Sequence, residues 1–271
     1  MPEGHVIHRL ARDLDATFAG RPVAVSSPQG RFAAEADHLD ARVLRRAEAW
    51  GKNLVLDFDA EGDHLVHVHL GLIGRLALAP VAPPVGQVRL RLADATTAAD
   101  LRGPQTCDLL DEAEWARRRQ RIGPDPLRAD ADPEAAWARV RRSGRSVADL
   151  LMDQSVTAGV GNIFRAEVLF RARLDPSTPG RDLNHRTWSA LWDDLVGLMG
   201  AAVEVGRIDT VAPAHTPEAM GRPPRVDRHG GEVYVYRREA AACHVCGSPV
   251  RRREVAGRHL YWCARCQRRH H

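Results

Sequence analysis

Lysine is almost missing from this 271-residue chain: of 39 basic Lys and Arg side chains, Lys52 is the single lysine. Arginine replaces lysine in most surface roles. It does not deprotonate, however, and it offers a planar fork in place of a point charge, so it cannot serve as an amine in proton transfer or Schiff-base chemistry. A lysine kept against that background is a candidate for chemistry. Cysteine is scarce too. Four of the five sit in two pairs near the end and Cys107 stands alone. With polar opening residues that give no signal peptide, this points to a metal site in a soluble, cytoplasmic protein and away from a disulfide framework. No apolar run reaches the length of a membrane span, so no membrane partner is expected. A hydrophobic content of 44% suits a globular chain long enough for two domains.

The net charge of +4 is only a weak lean toward a polyanionic partner, but its distribution says more. From residue 221 to 271 there are 12 Arg against 4 Asp and Glu, which suggests a face for nucleic acid.

Periodicity divides the chain. Val6, Ile7, Leu10, Leu14 and Phe18 recur at helical spacing, so the chain opens on an amphipathic helix that Gly20 and Pro22 end. From Pro22 to about Arg102 the period becomes two. Runs at 53–58 (NLVLDF), 64–70 (HLVHVHL) and 86–92 (GQVRLRL) are separated by Gly, Pro and Asp, a pattern of a β-sandwich or barrel. His67 and His69 share one strand face, but no third ligand lies nearby and ordinary strand positions are the better reading. The Pro- and Asp-rich stretch 122–134 reads as a linker, 134–205 as helical, and 206–231 as a loop. Residues 232–239 (EVYVYRRE) return to β character before the cysteines.

Three motifs carry chemistry. Cys243-x2-Cys246 and Cys263-x2-Cys266, sixteen residues apart, form a four-thiolate site for one structural zinc, closed to catalysis, with room for two strands between the pairs. Gly257-Arg258 falls at the tip of that hairpin, where Arg reaches phosphate or a groove. Gly159-Val160-Gly161-Asn162 opens a helix, with Asn162 read as a cap and the freed amides as an anion site. At the start, small Pro2 permits removal of Met1. That would leave a terminal secondary amine that titrates near the α-amino value of about 8, with Glu3 beside it as acid or base.

Together Pro2-Glu3-Gly4, Gly51-Lys52, 69–76 (HLGLIGRL), 121–127 (RIGPDPL), Gly159 to Asn162 and 257–267 (GRHLYWCARCQ) resemble the formamidopyrimidine-DNA glycosylase/endonuclease VIII family, in family order and across nearly the whole chain. The resemblance implies an α+β fold. An N-terminal β-sandwich flanked by helices (1–121) and a linker (122–133) precede a helical domain with a helix–two-turns–helix and a lesion loop (134–239), followed by a zinc-finger hairpin (240–271). It also implies roles. Pro2 attacks C1′ of the damaged nucleotide, Glu3 is the general acid/base, and Lys52 contacts phosphate near the lesion and assists catalysis. Asn162 and Arg258 grip the DNA backbone, and Leu72 fills the hole left by the flipped base. The expected protein is a monomeric base-excision-repair glycosylase and AP lyase. Its partner is damaged DNA, its only cofactor is zinc, and it associates with the nucleoid through DNA.

One departure bears on substrate. Formamidopyrimidine glycosylases carry an Arg-Arg-Phe-Gly loop, whereas 98–107 (AADLRGPQTC) has one Arg and no Phe. With the opening Met-Pro-Glu-Gly-His, this favours an endonuclease VIII acting on oxidised pyrimidines. The alternatives are an 8-oxoguanine enzyme and a catalytically silent lesion-binding protein. The latter would have no need of Pro2, Glu3 and Lys52 together.

Overall fold

The computed structural model describes residues 2–227, 231–255 and 257–268. Met1, whose removal is expected above, and His270 and His271 lie outside them. The chain forms two compact units, Met1–Arg121 and Ile122–His271.

The first unit opens with α1 (Gly4–Phe18), which buries Ile7, Ala11, Leu14 and Phe18 along one stripe. It continues through β1 (Ala24–Ser26), α2 (Ala33–Leu39), β2 (Leu44–Trp50), β3 (Asn53–Phe58), β4 (Leu65–His69), β5 (Arg75–Pro80), β6 (Val88–Ala93), β7 (Thr97–Arg102), β8 (Thr106–Leu110) and α3 (Glu112–Arg119). Two four-stranded sheets, ordered β1-β6-β7-β5 and β2-β3-β4-β8, are antiparallel throughout. Of the two architectures open to the strand pattern, the sandwich is the one formed. Period-two alternation turns Leu54, Leu56, Phe58, Val66 and Val68 of one sheet and Leu90, Leu92, Ala99 and Leu101 of the other into a common core with α1. Each of these Leu, Val and Phe side chains contributes roughly 1.5–3 kcal/mol by leaving water. Asp15 of α1 accepts the backbone N–H of Ala47 at 2.9 Å, which fixes the helix against β2. On the outer face of the second sheet lies α3, capped by Asp111 and anchored by buried Trp115.

The second unit holds α4 (Pro133–Val140), α5 (Val147–Met152), α6 (Asn162–Arg171) and α7 (His185–Val205) around a core that includes Phe164, Leu169, Trp188 and Leu195. Side chains of Asp132, Ser146 and Asn184 cap α4, α5 and α7. The hairpin β9 (Arg251–Val255) and β10 (Arg258–Trp262) lies between the cysteine pairs. The β character read at 232–239 is not realised as a strand. The backbone N–H groups of Tyr234, Val235 and Tyr236 go instead to the buried carboxylate of Glu167, at 2.7–2.9 Å, which takes the place of a ladder partner.

Candidate functional site

In the first unit, Pro2 is half-buried and Glu3, in extended backbone, is the N-cap residue of α1 at 1% exposure. Glu3 does not use its carboxylate as a cap. The residue is nonetheless buried at the helix start, next in sequence to Pro2. The helix that Pro2 and Glu3 precede packs on β2 and β3, the strand pair that carries Lys52.

Lys52 occupies the two-residue Gly51-Lys52 turn between β2 and β3, with Trp50 paired to Asn53. Gly51 has φ of +61°, the left-handed conformation such a turn demands and glycine adopts without strain. Asn53 closes the turn by donating Nδ2–H to the Trp50 carbonyl at 2.9 Å. His67 and His69, set aside as metal ligands, belong to this neighbourhood. His67 Nε2 lies 2.9 Å from Asn53 Oδ1, and Arg118 Nη1 lies 3.0 Å from His67 Nδ1. Burial, reinforced by the Arg118 charge, pulls the His67 pKa down to about 4, so the ring is neutral at physiological pH. His69 is also shifted down, first by burial and then by the Lys52 charge beside it.

Immediately after β4, the turn 70–74 presents two apolar side chains to solvent, Leu72 at 70% and Ile73 at 87% exposure. The turn is tightly specified. A Cβ on Gly74 would fall on the Leu70 carbonyl oxygen, and one on Gly71 (φ +67°) would meet Gln105 Cβ at 2.8 Å. Ile73 was not singled out from the sequence; two adjacent exposed apolar residues between glycines are the signal that could have found it.

In the second unit, Asn162 is the first residue of α6, and the N-cap is Gly161. Asn162 therefore does not cap its helix, as its type and position suggest. It donates Nδ2–H to the main-chain carbonyl of His259 in β10 at 2.9 Å, while Arg165 donates to Asn162 Oδ1 and to that same carbonyl. Arg258, half-buried, begins β10. Glu167 is the residue sequence reasoning missed: its carboxylate also accepts Thr210 Oγ1–H at 2.6 Å.

The four thiols converge as expected. Their Sγ atoms lie within 4.8 Å of one another, with Cys243–Cys266 at 3.9 Å and Cys246–Cys263 at 3.5 Å. A tetrahedron with Zn–S bonds near 2.3 Å has edges of about 3.8 Å, so the donor set and its spacing fit one structural zinc. Gln267 fixes the second pair, accepting the Cys263 N–H at 2.9 Å and donating to the Leu174 carbonyl at 3.0 Å.

A sandwich headed by Pro-Glu and a helical unit with a zinc hairpin define a class, and comparison with known proteins gives the same class. Residues 1–107 match the formamidopyrimidine-DNA glycosylase N-terminal domain, 122–213 its H2TH domain, and 242–269 the zinc finger found in FPG and IleRS. "Endonuclease 8 1" of Mycobacterium tuberculosis is 48% identical over 276 residues, covering 98% of this chain and 100% of the relative. A formamidopyrimidine-DNA glycosylase of Geobacillus kaustophilus is 31% identical, covering 84% and 82%. The fold matches Lactococcus lactis formamidopyrimidine-DNA glycosylase non-covalently bound to DNA containing an AP site, with a TM-score of 0.78 at 21% identity over 98% of this chain and 100% of that one. The chain belongs to the formamidopyrimidine-DNA glycosylase/endonuclease VIII family of DNA glycosylases in base excision repair, and it is closer to endonuclease VIII. No helix among the described residues is long and apolar enough to cross a membrane.

Proposed function

We propose that this chain is a bifunctional DNA glycosylase and AP lyase acting on oxidised pyrimidines, with processed Pro2 as nucleophile. The observation that carries the reading is the Pro2-Glu3 pair at the head of α1, where the Glu3 carboxylate is buried and not spent on capping the helix.

With Met1 removed, the neutral proline amine uses its lone pair to bond C1′ as the glycosidic C1′–N bond breaks, and the base leaves with a proton. Loss of the amine proton and opening of the C1′–O4′ bond give an iminium joining Pro2 to the deoxyribose. Glu3 gives a proton to the sugar oxygen and takes one back. Elimination of the 3′ and then the 5′ phosphate nicks the strand, and water releases the sugar fragment by hydrolysing the iminium. Lys52 supplies positive charge for a phosphate at the lesion. Asn162, Arg258 and the zinc hairpin hold the backbone, while zinc shapes the hairpin and takes no part in bond breaking. Leu72, with Ile73 beside it, occupies the space the flipped nucleotide vacates. Oxidised pyrimidines are favoured over 8-oxoguanine because the stretch 98–107 has one Arg and no Phe in place of an Arg-Arg-Phe-Gly loop, and because the 48% identical relative bears the name "Endonuclease 8 1".

Sodium borohydride with abasic-site DNA tests the mechanism. Trapping should attach DNA to Pro2 of a protein whose mass shows Met1 removed. An N-terminal extension should abolish it, and Lys52→Arg, which removes every side-chain amine, should still trap. Loss of trapping in Lys52→Arg with Pro2 processed makes the lysine the nucleophile. Absence of trapping on every lesion makes the chain a silent binder.

A further inference from the structure

Beside the Lys52 turn runs a polar chain of three side chains. On the outer face of the second sheet, Asn53, His67 and Arg118 bond in sequence, although they come from β3, β4 and α3. Arginine has no acceptor, so Arg118 must donate to His67 Nδ1; the ring proton therefore sits on Nε2 and is donated to Asn53 Oδ1. That bond fixes the amide orientation of Asn53, whose Nδ2–H then points at the Trp50 carbonyl and shuts the Gly51-Lys52 turn. Arg118 is itself held from two directions, by Asp108 at 2.7 Å and Glu114 at 3.0 Å. Trp115 covers the His67 ring, with centroids 5.5 Å apart.

The bonds of the chain all run in one direction. The order from α3 to the turn is Arg118 to His67, His67 to Asn53, Asn53 to Trp50. Such a chain stands only while the imidazole is neutral, which its burial and the Arg118 charge ensure. A lysine side chain is long and flexible, and the entropy of holding its ammonium in one place must be met by its base. Here the base is a two-residue turn with a glycine in it, and its other end is clamped by a network centred on the buried His67.

We propose that Asn53, His67 and Arg118 are positioning residues for Lys52, setting the turn so that its ammonium meets the lesion phosphate without further ordering. This rests on the role given to Lys52 above. The competing view is that the network only staples α3 to the sheet. A staple would affect stability and would slow the reaction equally whether or not Lys52 is present.

A double-mutant cycle separates the two. Asn53→Ala, Lys52→Met and the pair are compared with the wild type in single-turnover base excision, on whichever of thymine glycol or 8-oxoguanine DNA is processed faster. Asn53→Ala should slow excision roughly tenfold, the scale of a small misplacement of a reacting group. In the Lys52→Met background it should cost less than about twofold more, because there is no ammonium left to misplace. His67→Phe keeps the packing against Trp115 and breaks the same chain one step back. It should reproduce both results, and it serves as the test if Asn53→Ala does not fold. Equal slowing in the two backgrounds, or no slowing in a folded variant, overturns the proposal. If Lys52→Met leaves excision at the wild-type rate, the role of Lys52 fails and the positioning network fails with it. If Lys52→Met slows the reaction and neither network variant does, the network alone is refuted.

Discussion

Asn162 and His259 are joined across the second unit: the amide of the first α6 residue donates to a backbone carbonyl in the middle of the zinc hairpin, 2.9 Å away. The side chain at the helix start and the hairpin strand that begins with Arg258 are thereby one surface, held on one side by Arg165 and on the other by the four clustered thiols of the zinc-finger site.

Removing the metal should therefore cost more than the hairpin. Chelation or Cys243→Ser is expected to unfold the segment and free Asn162 from His259, abolishing binding to abasic-site DNA while the first unit keeps its own core. Circular dichroism of the sandwich alongside a binding titration checks this. Normal cleavage by protein with verified zinc loss would show the assignment to be wrong.

Affinity for DNA should fall steeply with salt, because the contacts expected of Arg258 and its neighbours are to phosphate. Arg258→Ala should weaken binding across all sequences and flatten the slope of log affinity against log salt by about one unit. A slope unchanged by the substitution, measured by anisotropy on an abasic-site duplex, rules the contact out.

Glu167 joins α6 to the segment 234–236 through three backbone N–H groups and Thr210. Glu167→Ala should destabilise the second unit by on the order of 3 kcal/mol or more, since each buried donor left without a partner costs about 1–3 kcal/mol. Thermal melts should show the loss, and the isolated loss of one exposed carboxylate would not produce it. A melting temperature within a degree or two of wild type contradicts the arrangement.

Much of this was open to reading in the residues themselves, and the parts that were not have a common cause. The thiolate spacing, the stripe of α1 and the alternating strands are local signals, each complete within a few turns of chain. Glu167 is equally local in sequence, an unremarked acid on a helix, yet its partners lie 43 to 69 residues further on, so only the folded unit shows what it holds. The same distance misled the reading of 232–239. Alternating Val and Tyr suit a strand, but their N–H groups are taken by a side chain and no ladder forms. Asn162 followed the preference of Asn for caps, and Gly161 holds that position instead. His67 looked like a plain strand residue because its partners are on β3 and α3.

Acid should loosen the first unit in a way that depends on His67. The folded pKa, about 4, lies below the unfolded value of 6.5. Between those values the unfolded chain binds more protons, so stability is full above pH 6.5 and declines as pH falls toward 4. The contribution is about 3 kcal/mol at most. His67→Leu removes this titration and also leaves Arg118 and Asn53 short of a partner. It should be less stable than wild type at pH 7, and the gap should narrow by pH 4.5. Parallel stability curves for the two proteins between pH 7 and 4.5 would refute the shift.

The wedge turn carries the prediction about substrate. Leu72 and Ile73 expose most of their apolar surface at 70% and 87%, an arrangement that costs the free protein solvation and gains nothing until something covers it. A duplex opened by base flipping offers such cover, because the vacated stack is apolar and collapses unless filled. Extruding a paired base costs a few kcal/mol, and a base in single-stranded DNA has no stack to leave. Leu72→Ala should therefore slow excision of thymine glycol or 5-hydroxyuracil from duplex by roughly ten- to a hundredfold, and from single strand by much less. Ile73→Ala should act in the same direction. Without an Arg-Arg-Phe-Gly loop beside the turn, these two residues are the apolar filling material the turn offers, and the enzyme should release thymine glycol faster than 8-oxoguanine opposite cytosine in single-turnover assays. Faster release of 8-oxoguanine would give the chain the other activity of its family. Equal slowing of duplex and single-stranded substrates by Leu72→Ala would show that the exposed pair does not enter the stack at all.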